Sequence, residues 1–205
     1  MNLTQFKTNI KDIVYPNLFQ ARIAISQDLA NILNGEADAQ KFVNSFPFRC
    51  ESASFAGKTI TTGMNQGAGG LAFKTPIEVV YGTTDISIIC SSDMVEREFF
   101  EEWQNVIIGH PRRDSDSRGL VEFYSNFAEG CDLTVAQFDA GFKHVIYAER
   151  YYDVFPESIT PLTVAWESQN SYQRFGVTLA YRYYDAVVPE GLVNVGDAER
   201  QLLLE

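Results

Sequence analysis

Few residues in this 205-residue chain have the type and spacing that chemistry needs. The candidate ligands and nucleophiles are His110, His144, Cys50, Cys90 and Cys131. No Cys-x-x-Cys pair occurs, and neither histidine stands at metal-ligand spacing from a cysteine, so no zinc site is expected. No Gly-x-Ser-x-Gly elbow is present, which removes the usual serine-hydrolase arrangement. Gly67-Ala68-Gly69-Gly70 has the glycine density of a phosphate loop. It lacks the Gly-Lys-Ser/Thr ending and leads into a strand pattern where a helix N-terminus is required. Asp114-Ser115-Asp116-Ser117-Arg118-Gly119 opens like a calcium loop. It fails at the fifth position, Arg118, and at the twelfth, where Ser125 replaces the bidentate Glu, so it reads as a solvated turn. Glu98, Glu101 and Glu102 cluster on one helix, where carboxylates can serve acid–base work or bind a metal. They lie beside or opposite its apolar stripe and read as a solvated face, with a lumen-facing or subunit-facing acidic surface as the alternative. No catalytic, cofactor or metal residue is expected, and the chain reads as a non-enzyme.

The composition fits one domain. Apolar residues make up 45%, enough for a core, and aromatics make up 13%, which favours strand packing and interfaces. The formal net charge is −11. Affinity for nucleic-acid phosphates comes mainly from Lys and Arg, so an acidic chain suits a surface that DNA passes without adhering. The three cysteines read as free thiols in a reducing compartment. Met1 to Ile13 shows no signal-peptide pattern, and no run approaches a membrane span, so a soluble protein without a membrane anchor is expected.

The elements that would position these residues are mostly strands. Leu3, Phe6, Ile10, Ile13 and Val14 have helical spacing, ended by Pro16. Leu18 to Ser26 predicts a strand. Residues 28–45 read as an insertion, a loop or short helix around Asn34-Gly35. Phe46 to Ser54 predicts the next strand. Residues 56–72, rich in glycine, read as a long mobile loop or an extended hairpin. Phe73 to Tyr81 and Thr84 to Cys90 predict two strands about a tight turn at Gly82-Thr83. Asp93 to Ile108 is the clearest helix, with Asp93 and Glu96 as a capping pair and Val95, Phe99, Trp103, Val106 and Ile107 as one apolar stripe. Gly109 and Pro111 end it. Leu120 to Phe127 reads as extended. Leu133 to Phe138 and Lys143 to Tyr152 predict a hairpin, and Thr163 to Glu167 with Tyr172 to Tyr184 a final antiparallel pair. The fold class is mainly β with one flanking α-helix, arranged as a sandwich or barrel in a single domain over 1–205, with a C-terminal extension at 186–205.

The ordered set of Pro16-Asn17-Leu18-Phe19-Gln20, Phe48-Arg49-Cys50-Glu51-Ser52-Ala53, Thr84-Asp85-Ile86-Ser87-Ile88-Ile89 leading to Phe99-Phe100-Glu101-Glu102-Trp103, and the final block of Pro156, Ile159 to Trp166 and Phe175-Gly176-Val177-Thr178-Leu179-Ala180-Tyr181 carries a likeness. It resembles the tail tube proteins of contractile-tailed bacteriophages, over about Tyr15 to Asp185. The resemblance implies a tail tube fold, β-barrel-like with a flanking helix. It implies homo-hexameric rings stacked into a tube within a sheath, with DNA and the tape-measure protein in the lumen and baseplate proteins at one end. It implies a structural virion protein assembled in the host cytoplasm. Baseplate tube-initiator and type VI secretion tube proteins share that fold. The 28–42 stretch and the tail after Asp185 exceed a minimal subunit, which keeps an initiator or terminator ring as the alternative. A soluble β-barrel binding module with the glycine-rich segment as a lid is the reading from another class. Within the resemblance, Thr62, Gly63, Met64, Asn65, Gln66, Gly67, Gly69 and Gly70 are expected to order on ring stacking. Thr178, Ala180 and Arg182 are expected to face a lumen or a neighbouring subunit.

Overall fold

The computed structural model describes residues 14–33, 36–65, 70–108, 121–165 and 172–187. The helix expected over Leu3 to Val14, the turn at 114–119 and the extension after residue 187 lie outside the described residues.

Two four-stranded antiparallel sheets face each other. The first has the order β1 (Phe19–Ala24), β6 (Asp132–Phe138), β7 (Val145–Tyr152), β10 (Tyr183–Val187). The second has the order β2 (Cys50–Ala53), β5 (Thr83–Ile89), β9 (Arg174–Ala180), β8 (Phe155–Ile159). Side chains alternate across a strand, so every second residue enters the space between the sheets. Ala21, Ile23, Leu133, Val135 and Tyr151 fill it from one side; Ile86, Ile88, Phe175, Val177 and Leu179 fill it from the other. A third, two-stranded sheet of β3 (Lys58–Asn65) and β4 (Phe73–Tyr81) is built on neither.

Helices close the sandwich. Ser26 caps α1 (Gln27–Ile32), its Oγ accepting from the Leu29 N–H at 3.2 Å. Phe42 on α2 (Glu36–Arg49) stacks on Phe99 of α3 (Val95–Ile108), ring centroids 4.2 Å apart. Trp103 is fully buried and its indole N–H donates to the Phe127 carbonyl at 2.8 Å. That carbonyl belongs to α4 (Tyr124–Phe127), a single helical turn where an extended segment was expected.

The mainly-β expectation with a flanking helix holds, and several element boundaries move. The 28–45 insertion is two helices packed into the core, and the strand expected from Phe46 begins only at Cys50. Ala39, Phe42, Val43 and Phe46 recur at three- and four-residue spacing and are all buried. That stripe straddles the boundary between the two segments as read, and Pro47 in the last turn imitates a strand break. β4 and β5 do not pair. Gly82 is a one-residue link between sheets, because β4 pairs with β3 while β5 lies between β2 and β9. Residues 161–165 are irregular, and β8 takes the place expected of Thr163 to Glu167 beside β9. The chain turns from β7 into β8 at Asp153, whose φ of 55° is left-handed. The missing glycine hid that corner, since Asp tolerates this region better than most residues.

Candidate functional site

With no cluster of three or more His, Cys, Asp or Glu able to hold a metal among the described residues, the candidate site is a surface. The β3–β4 hairpin dominates it. Lys58 pairs with Tyr81 at its root, and the ladder runs through Ile60 opposite Val79 to Asn65 opposite Phe73. β-Branched residues at Thr59, Ile60, Thr61, Thr62, Ile77, Val79 and Val80 favour this extended form. A bulge at Thr61/Thr62 sets the register, and Ile77 lies over Gly63. A Cβ at Gly63 would meet Ile77 Cδ1 at 2.8 Å, so glycine makes room for that side chain.

The hairpin is apolar where it meets water. Ile60, Met64, Leu71, Phe73, Ile77, Val79 and Val80 are all exposed, Met64 at 72% and Ile77 at 67%. Ile60 and Val79 share one face while Val80 lies on the other. A hairpin packed on its own core shows one wet polar face; this arm shows apolar side chains on both. An isolated two-stranded hairpin is marginal in water, and its unpaired edges invite a partner. Each side chain covered by a partner contributes about 1.5–3 kcal/mol of gross burial.

The root of the arm is tied to both sheets. The Ser54 N–H donates to Asp85 O at 3.0 Å, and Thr84 Oγ1 donates to Ser54 O at 2.6 Å. The Ala56 N–H donates to Glu149 Oε2 at 2.9 Å, and the Tyr147 hydroxyl donates to Glu149 Oε1 at 2.6 Å. On the β4 side the Tyr81 ring meets Tyr181 and Tyr184 edge-on, at 6.3 and 5.8 Å.

Of the residues expected to stack rings, Thr62, Gly63, Met64 and Asn65 are paired strand residues in β3, which agrees with the extended-hairpin alternative and not with the mobile loop. Gly70 stands at the bend leading to β4, and Gln66, Gly67 and Gly69 lie outside the described residues. The glycine count hid the β-branched run beside it.

The outward face of the second sheet is the other candidate surface. Thr178 and Ala180 lie on it, and Thr178 Oγ1 donates to Asp85 Oδ1 at 2.7 Å. Glu51 extends the polar face, accepting from the Tyr172 hydroxyl at 2.6 Å and from Arg174 at 3.1 Å. The Tyr172 bond, supported by Arg174, holds the Glu51 carboxyl below its ordinary range. Arg182 is not part of this face. β9 ends at Ala180, the Arg182 N–H donates to Tyr152 O, and its guanidinium pairs with Asp153 at 3.4 Å. Tyr184, on the next strand, packs against the core. The alternation read through Tyr184 breaks where the chain crosses between sheets.

One lateral edge of this sheet is covered. Gln104 of α3 donates to the Pro156 and Glu157 carbonyls of β8 at 3.4 Å, and Arg97 donates to Thr160 O at 3.2 Å. Of the helix stripe, Phe99 and Trp103 are buried, while Val95, Val106 and Ile107 are half-buried. The pattern missed Phe100, fully buried, and Glu96, whose carboxylate is turned inward. Glu96 reaches back to Ser91, accepting from its N–H at 2.9 Å and its hydroxyl at 2.7 Å, so Ser91 takes the partner role read for Asp93. Glu98 and Glu101 are exposed and Glu102 is half-buried, with Glu101 paired to Arg97 at 2.6 Å.

The model of the phage tail tube protein family matches residues 14–187. The chain belongs to the phage tail tube protein family. That family is one of structural tube proteins. Solved structures share the fold at low identity. A chain of the sheath–tube complex of an extracellular contractile injection system, in its extended state, matches with TM-score 0.57 at 12% identity, over 92% of this chain and 99% of that one. A chain of the anti-feeding prophage tube-terminating cap matches with TM-score 0.59 at 14% identity, over 92% and 99%. A chain of the anti-feeding prophage baseplate matches with TM-score 0.57 at 9% identity, over 88% and 99%. No curated protein matches the chain in sequence. No helix among the described residues is long and apolar enough to cross a membrane.

Proposed function

We propose that this tail tube family member is the main tube subunit of a contractile particle. Six copies form a ring, rings stack into the inner tube, and the lumen conducts DNA after the tape-measure protein leaves it. The sheath surrounds the tube and the baseplate seeds it. The observation that carries this reading is the β3–β4 arm, a protruding hairpin apolar on both faces, beside a sandwich that buries its own core. Such an arm is costly alone and productive only against another protein surface. A second copy is the partner that a self-assembling tube supplies at high local concentration.

The polar outward face of the second sheet, with Thr178, Ala180, Asp85 and Glu51, is the surface that faces the lumen or a neighbouring subunit. The net charge of −11 supports a channel that repels phosphate, over the roughly 8 Å Debye length at physiological salt. The test is electron microscopy of the purified full chain at low and high concentration. Hollow rings that stack into tubes support the main tube subunit. Discrete rings that never stack support an initiator or terminator role instead, a reading kept because a tube-terminating cap and a baseplate both contain chains of this fold. A monomer at every concentration contradicts the proposal.

A further inference from the structure

Glu149 stands where a sandwich core ordinarily holds an aliphatic residue. Its register partners on either side are Val135 and Ala186, and its side chain is 3% exposed. Among the described residues it has no ion-pair partner. The other buried carboxylate, Glu96, has Arg49 at 3.6 Å. Removing a carboxylate from water without a cation is expensive unless hydrogen bonds replace the lost hydration. Glu149 is compensated by donors alone: the Tyr147 hydroxyl at 2.6 Å, the Tyr151 hydroxyl at 2.5 Å and the Ala56 N–H at 2.9 Å. Two of these are side chains of its own strand. The third is main chain of the segment that enters β3.

We propose that Glu149 is the positioning residue of the arm, a latch that fixes the hairpin's direction before it meets a second copy. The inference rests on the reading that the arm stacks rings. Both strands of the arm are gripped within one aromatic cluster. Phe55 meets Tyr147 edge-on at 5.2 Å, and the Lys58 ammonium lies 5.8 Å over the Tyr184 ring. Tyr184 also meets Tyr81, the register partner of Lys58, and lies 5.9 Å from Tyr151. Glu149 bonds Tyr147, Tyr151 and the Ala56 N–H together, and Tyr151 backs it, its hydroxyl also accepting from the Ala56 N–H at 2.8 Å. A lever held at its root loses little orientational freedom when it docks, so more of its apolar burial appears as affinity. The Glu149 bond, with burial, raises the Tyr147 hydroxyl to about 12, which agrees with a strong contact to a carboxylate.

The test compares the full chain with Glu149→Gln, which keeps the shape and replaces one acceptor oxygen by a donor. Hydrogen exchange is followed by mass spectrometry, together with the ratio of stacked tubes to single rings. Charge-assisted bonds to buried groups predict exchange about tenfold to a hundredfold faster in peptides covering 54–65 and 73–81. Peptides covering β6 and β9 keep their wild-type exchange, and the ratio of tubes to rings falls. A purely structural role would loosen β6 and β9 as well. If Glu149→Gln does not fold, Tyr147→Phe removes one donor at a half-buried position and predicts the same pattern at smaller size. Unchanged exchange in the arm overturns the latch. Faster exchange in the arm with tubes of normal number and length leaves the latch standing but overturns the stacking role assigned to the arm.

Discussion

The sandwich and the arm are made from the same kinds of residue, and they use them in opposite ways. β9 alternates Phe175, Val177 and Leu179 inward against Gly176 and Thr178 outward, and all three apolar side chains are buried. β4 carries Ile77, Val79 and Val80 within four positions, and all three are exposed. Alternation lets a strand satisfy itself on one core. Its absence leaves a strand that only a partner can satisfy. The stability of the monomer therefore sits in the body, and its capacity to assemble sits in the arm.

That division can be broken at the body first. Trp103→Ala removes a fully buried indole and leaves the Phe127 carbonyl without its donor. A loss of about 3–5 kcal/mol in chemical denaturation is expected, with ring formation lost as a consequence. Gly130, at φ 78°, turns the chain into β6, where a side chain is strained. Gly130→Ala is expected to cost about 1 kcal/mol in the same measurement, with assembly intact once the chain is folded.

The arm sharpens the division by behaving in reverse. Ile77→Ser combined with Val79→Ser is expected to change the unfolding free energy by less than about 0.5 kcal/mol, while sedimentation shows the large species gone. The smallest expected effect is local to the root. The Tyr147 hydroxyl is pushed up from 10 to about 12, first by its bond to Glu149 and then by burial. An acid whose folded pKa is raised gives stability that is complete below the unfolded value and is lost as pH rises through the folded one. Arm amides should therefore gain exchange, beyond the intrinsic increase, between pH 10 and 12, and Tyr147→Phe should abolish that step.

Much of the body was legible because its signals are local and periodic. Phe99 and Trp103 show the helix face, and the β6–β7 hairpin follows from alternation on either side of Asp139-Ala140-Gly141. The α2 helix was legible only as a short-helix alternative to a loop, because Ala39 to Phe46 is amphipathic across a boundary that Pro47 disguises. The exchange of partners at Gly82 was not legible, since sequence adjacency of β4 and β5 implies a pairing that the long-range competition of β3 and β9 overrides. The candidate site was legible in place and, as one of two alternatives, in form, since an extended hairpin was read there beside a mobile loop. The 56–72 segment stood out by its glycines, while its strand character lay in Thr59 to Thr62. Glu149 could have been noticed as a charge at an inward position, since the period of β7 places it with Tyr147 and Tyr151. What it holds, 93 residues away at Ala56, carries no sequence signal.

The most direct test shortens the arm and leaves the body alone. Replacing residues 60–79 by an Asn-Gly turn closes Thr59 on Val80, which are already opposite each other. Electron microscopy is then run beside denaturation for the shortened and full chains. The same denaturation midpoint is expected for both, with tubes only from the full chain. Tubes of normal length from the shortened chain would contradict this expectation.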